Sequence, residues 1–229
     1  MPMAIEKDIL MATSFEPAST PRLRCELHNA ITHFAHSTFE CDMTDPHSIE
    51  LVHFGSKRWA NYFKVVLLGL QSVLPPEVRQ NAHGTIKVLV DGTVPPESSL
   101  SSSAAMTTCS SIVILTALKA LHVVPRKVIA DVACHSERLV GVHSGGMDQA
   151  VSVFGQRDKA LFVSFAPTLH VSPIELPLGH QYVFLVTNTM IKSDKKATAP
   201  ERYNLRVVET RLAAAVLKRV LQTKSDIPI

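Results

Sequence analysis

Cysteine pairs at metal-binding spacing are missing from this chain, and so is any apolar run long enough to matter to a membrane. Its four cysteines (Cys25, Cys41, Cys109 and Cys134) are far apart and form no CxxC, so neither a zinc ribbon nor a dense disulfide framework is expected. A reduced, cytoplasmic protein is the reading that follows. The longest apolar stretches, such as VVLLGL at 65–70, fall far short of the roughly 20 residues that span a bilayer. The first residues, MPMAIEKDILMATSF, include acidic positions and alternate in polarity, unlike a secretory leader. Lysine and arginine are scattered and the formal charge is only +3, so no basic stripe exists to follow a nucleic acid backbone. Neither GxxxxGK[ST] nor HExxH occurs, which removes the P-loop and the common zinc-protease helix. The eleven histidines show no ligand spacing, and HFAH at 33–36 reads as an exposed loop.

What remains is a chain of 229 residues, 46% hydrophobic, enough for one substantial core or two small ones packed together. Alternation at 3–14 and 20–27 predicts two strands joined by a Pro/Ser turn, both pieces of a sheet. Residues 28–54 have weaker periodicity. A helix is expected near 56–74, with Trp59, Phe63, Val66, Leu67 and Leu70 on one face and Pro75 and Pro76 ending it. A strand follows at 85–91. A Pro/Ser-rich turn then feeds an apolar helix running to about Leu121, and a second helix opens at Pro125 in a favourable first-turn position. GGMDQAVSVFG starts a third helix. Strands are expected at about 160–165, 171–176 and 182–188, and a last helix at about 201–223.

Two patterns carry chemistry. Serine clusters are mostly flexible connectors, but SSLSSSAA lies between a β-branched strand and an apolar helix. At a helix N-terminus, free N–H groups and the helix dipole favour an anion, and hydroxyls there can cap the helix, hold phosphate or ligate a hard cation. The second pattern is a carboxylate pair, Glu137 near a helix end and Asp148 just after a double glycine. Glycine lets a backbone approach a ligand closely. Phosphoryl transfer to a hydroxyl uses one carboxylate to orient or deprotonate the nucleophile and another to anchor Mg²⁺. Cys134 and His135 are neighbours on a helix, point apart and form no nucleophile–base dyad.

With these residues in view, the chain resembles the GHMP kinases. VDGTVPPESSLSSSAAM at 90–106 is similar to their second motif, a loop around the triphosphate of ATP, and GVHSGGMDQAVSVFG at 141–155 is similar to the GGMDQ segment of the galactokinases. NTMIKSDKKATAPERYNLRVVETRLAAAVL at 188–217 resembles a further stretch of the fungal members. The resemblance implies an α+β GHMP kinase fold, with an N-terminal domain like ribosomal protein S5 (residues 1–180, without its first segment) and the start of a ferredoxin-like domain (181–229). It implies ATP and Mg²⁺ as cofactors and galactose or a related hexose as substrate.

Residue by residue, the resemblance makes Asp148 the catalytic base and Ser103 and Glu137 the Mg²⁺ ligands. Ser99, Ser101, Ser102, Asp194 and Lys195 would meet ATP, and Gly145, Asp148 and Tyr203 the sugar. Ser99 stands where the family has glycine, and Asp194 where it has asparagine. Trp59, Asn61 and Tyr62 match the helix before the nucleotide strand and are assigned to packing. Neither the family's Gly-Arg-Val-Asn-Leu-Ile-Gly-Glu-His segment nor its glycine-rich third motif occurs in the sequence, so the expectation is a partial sequence, poorly stable alone. An N-acetylgalactosamine kinase, a non-catalytic galactose and ATP sensor with a protein partner, and an inactive fragment stay open as alternatives.

Overall fold

Alternating burial along two strands shows which side of the sheet faces the core. Leu23, Cys25 and Leu27 of β2 (Leu23–Asn29) and Ile86, Val88 and Val90 of β4 (Gly84–Gly92) turn inward, while Arg24, Lys87 and Leu89 turn to solvent. That is the period-two pattern of a strand covered on one face. The computed structural model describes residues 2–176, 184–187, 189–190, 201 and 203–220. β1 (Ile9–Pro17) and β3 (Ser37–Cys41) complete a four-stranded sheet in the order β1-β4-β2-β3. β2 and β4 run parallel, and the outer pairs are antiparallel. The two N-terminal strands expected from sequence are therefore both in the sheet, but β4 lies between them.

Helices cover the inner face. A 3₁₀ turn at Arg58–Ala60 leads into α1 (Asn61–Gln71), and Trp59, Phe63, Val66, Leu67 and Leu70 are all buried as their spacing predicts. α1 stops before the prolines, and Pro76 opens the short α2 (Pro76–Gln80) at a position where proline is pre-organised. α3 (Ser102–Ala117) is buried along most of its length and packs against α1, α4 (Arg126–Leu139) and β1. It ends short of Leu121 because Lys119 takes φ 54°, a left-handed residue that terminates the helical ladder. Pro125 is the N-cap of α4, one residue before the helix proper. α5 (Met147–Phe154) packs on α3 and α4. Fully burying one Leu, Ile or Phe side chain in this layer stabilises the fold by about 1.5–3 kcal/mol.

β5 (Lys159–Ser164) and β6 (His170–Glu175) form a separate antiparallel pair. Of the strand expected at about 182–188, residues 184–187 carry no strand and the others lie outside the described residues. α6 (Asn204–Val220) is exposed along its length. The four thiols are free. No helix among the described residues is long and apolar enough to cross a membrane.

Candidate active site

The serine loop is built from backbone that most side chains avoid. Glu97, Ser99 and Ser101 have φ of 56°, 59° and 58°, in the left-handed region that costs an ordinary L-residue about 1–2 kcal/mol. Ser99, which stands where the family has glycine, adopts an angle that glycine takes freely. Ser101 is the N-cap of α3, yet its side chain does not cap the helix. Its hydroxyl donates instead to Asp148 Oδ2 at 2.7 Å. Two residues on, the Ser103 hydroxyl donates to Glu137 Oε1. The loop thus joins both predicted carboxylates through alternate serines.

Each carboxylate is placed by a helix terminus. Gly146, with φ 84°, is the N-cap of α5 and puts Asp148 in its first turn, where the helix dipole favours a negative charge. A Cβ on Gly146 would press on Cys134 Sγ and the Phe165 ring, each at 3.1 Å, so a side chain there would crowd both besides taking an angle that favours glycine. Gly145 has open room around it. Glu137, in the last turn of α4, is only 2% exposed. Besides Ser103 it receives Gln149 Nε2 at 2.6 Å. The expectation for a carboxylate of no special role is a surface position, and Glu137 departs from it completely.

A buried carboxylate is costly unless bonded and balanced. Glu137 has two neutral donors and no ion pair with a described lysine, arginine or histidine. That donor set, one carboxylate and one hydroxyl at the mouth of a phosphate-type loop, fits Mg²⁺, which takes one or two protein oxygens and completes its shell with water and substrate phosphates. No group of three or more His, Cys, Asp or Glu able to hold a metal occurs among the described residues, so an all-protein cage is not what this site offers.

A cavity of about 310 Å³ opens against the serine loop. Ser99, Ser101, Ser102 and Ser103 form one wall and Phe34, Trp59 and Tyr62 contribute aromatic surface. The assignment of Trp59, Asn61 and Tyr62 to packing holds for Asn61, which is buried and exchanges hydrogen bonds with the Val52 backbone. It is incomplete for Trp59, whose Nε1 bonds the Ala35 carbonyl at 2.8 Å while its ring also lines the cavity. HFAH is a loop with both histidines exposed; His33 borders the cavity and His36 stacks on His28.

Tyr203 precedes α6 and senses both carboxylates. Burial, then the charges of Asp148 and Glu137, push its phenol above the ordinary value, so it keeps its O–H as a donor. Asn204 pins this segment by bonding the Gly141 carbonyl and the His143 N–H, each at 3.2 Å. Asn204 and Gln149 lie within the motif stretches quoted from the sequence, but neither is given a role there. Asp194 and Lys195 lie outside the described residues.

Residues 61–156 match the GHMP kinases N terminal domain, a span that contains the serine loop and both carboxylates. Over that span the chain is similar to the GHMP kinases. Within them its likeness runs to galactokinases: it is 32% identical to that of Schizosaccharomyces pombe over 96% of this chain and 42% of the relative, and 34% identical to that of Candida albicans over 100% and 43%. It is also 34% identical to the galactokinase of Saccharomyces cerevisiae, over 95% and 42%. The chain spans less than half the length of these curated relatives. Among solved structures, a Lactococcus lactis galactokinase complexed with galactose superposes with a TM-score of 0.68 at 23% identity, covering 98% of this chain and 52% of the other. This likeness bears out the expected α+β GHMP kinase fold.

Proposed function

We propose that this chain is the nucleotide-binding and catalytic part of a galactokinase, which transfers the γ-phosphoryl group of ATP to the anomeric hydroxyl of galactose. The observation that carries the reading is the serine loop, which forms one wall of the aromatic cavity and bonds both carboxylates. A ligand with an aromatic base at one end and phosphates at the other suits that cavity and that loop. The curated relatives are galactokinases, which supports galactose as the acceptor. We also assign residues 1–180 to this nucleotide-binding domain and 181–229 to the start of a second. The free thiols favour a cytoplasmic setting.

In this reading the adenine enters beside Trp59, Tyr62 and Phe34, and the phosphates lie along Ser99, Ser101 and Ser102 at the start of α3. Ser103 and Glu137 would hold Mg²⁺, which when bound draws the phosphate oxygens together and offsets charge developing on them. Asp148 exchanges its bond with Ser101 for one with the sugar's anomeric O–H and holds or accepts that proton as the oxygen attacks phosphorus. Tyr203 and Gly145 border the sugar. The phenol donates to a sugar oxygen, and the open space at Gly145 admits the ring. Such positioning carries most of the catalysis, because phosphoryl transfer asks little covalent chemistry of the protein.

The test is ADP release by the full chain with ATP, Mg²⁺ and a panel of galactose, N-acetylgalactosamine and glucose. Release that depends on galactose and is lost in Asp148→Ala is expected. Sugar-independent release, or equal response to all three sugars, would overturn the assignment.

A further inference from the structure

Gln149 is completely buried, yet its amide is only partly satisfied. Nε2 donates to Glu137 Oε2 at 2.6 Å and reaches Ser144 Oγ at 3.4 Å, while Oε1 has no partner among the described residues. Leaving a buried carbonyl oxygen unbonded costs about 1–3 kcal/mol. A methionine of similar length would fill the same space without that loss, so packing does not explain the residue.

The bond to Glu137 does. The two carboxylate oxygens have separate donors: Oε1 takes the Ser103 hydroxyl of the serine loop, and Oε2 takes Gln149 of α5. Gln149 therefore fixes which oxygen faces the loop. It does so with a neutral group. A lysine or arginine there would neutralise the carboxylate and compete with any cation arriving from outside, and Arg138, next in sequence, instead directs its guanidinium to Cys134 Sγ at 4.0 Å. Gln149 also follows Asp148 in the first turn of α5, so the side chain that orients Glu137 and the one that would meet the sugar rest on the same rigid backbone.

We propose that Gln149 is a positioning residue, a neutral strut from α5 that keeps Glu137 aimed at the serine loop for a divalent cation bound with the nucleotide. This rests on the reading of Ser103 and Glu137 as the ligands of that cation. The test measures binding of Mn²⁺ to the full chain by electron paramagnetic resonance, in the presence of a non-hydrolysable ATP analogue, for Gln149→Met, Glu137→Gln and the double variant. Thermal melts accompany each. Gln149→Met is expected to weaken Mn²⁺ binding about tenfold or more, as loss of a partner behind a metal ligand does, with a melting temperature unchanged or somewhat lower, since the relief of the unbonded Oε1 is offset by leaving Glu137 Oε2 without its donor. The analogue's affinity without metal should not change. The double variant should bind Mn²⁺ no worse than Glu137→Gln alone, because both substitutions remove the same function. Gln149→Asn, which keeps the amide but shortens its reach, provides the same comparison if the methionine variant does not fold. Native Mn²⁺ affinity in either folded Gln149 variant, beside a weakened Glu137→Gln, would overturn the strut alone, as would additive losses in the double. Native affinity in Glu137→Gln would overturn the metal-site reading and this inference with it.

Discussion

Glu137 and Asp148 are tied to the same loop by alternate serines, yet one is sealed in the helical layer and the other lies at its edge. Glu137 is 2% exposed and held by Ser103 and Gln149. Asp148 is partly exposed and bonded by Ser101 at 2.7 Å. A carboxylate that must exchange partners with an incoming hydroxyl needs access. One that holds a cation needs a fixed direction and little competition from water. In the function proposed here, the difference in burial divides the labour between two residues of nearly the same chemistry.

Breaking the accessible half should have the largest effect. In Asp148→Asn, kcat is expected to fall by about 10²–10⁴-fold, the range of a lost acid–base group, with affinity for an ATP analogue retained. Steady-state rates beside calorimetric titration would separate the two.

The sealed half should respond through stability instead. Gly69 of α1 lies against Ser136 and Val132 of α4, so close that a Cβ there would collide with both side chains. Gly69→Ala is expected to cost about 1–3 kcal/mol, as overpacking does, read as a lower urea midpoint. Gly145→Ala is the matching change on the open half. It meets nothing within 4 Å, so the same urea titration should find native stability, and its effect should appear only as a raised KM for galactose.

A smaller effect of opposite sign is expected in the loop between them. Ser99→Gly removes a left-handed penalty of about 1 kcal/mol, so its melting temperature should rise by a few degrees. Smallest of all, Leu212→Lys and Val216→Lys on the exposed face of α6 (62% and 60% exposed) should leave the melting temperature unchanged and reduce light scattering on concentration.

Much of this site is legible in the sequence because local chemistry dictates it. A double glycine before Met-Asp-Gln marks a left-handed helix entrance, and Gly146 is that residue. The apolar spacing from Trp59 to Leu70 marks one helical face, and that face is buried. The parts that escape are those decided at long range. β3 has only five residues and reads polar, because two of its inward positions are Ser37 and Cys41. The insertion of β4 between β1 and β2 leaves no trace in either strand's alternation. Helical spacing places Trp59 on the packed face and cannot reveal that the same ring edges a cavity lined also by Ser99, Ser101, Ser102 and Ser103. Gln149 is visible in the sequence as the last residue of GGMDQ, but its bond to Glu137, twelve positions earlier and 2.6 Å away, is not.

The division of roles between the two carboxylates is tested most directly by ³¹P NMR of the full chain and its Asp148→Asn variant, incubated with ATP, Mg²⁺ and galactose. The account predicts a sugar 1-phosphate resonance growing as the γ-phosphate signal of ATP declines in the native protein, and neither change in the variant over the same interval. Equal product from both proteins, or a phosphate on any other hydroxyl, would contradict it.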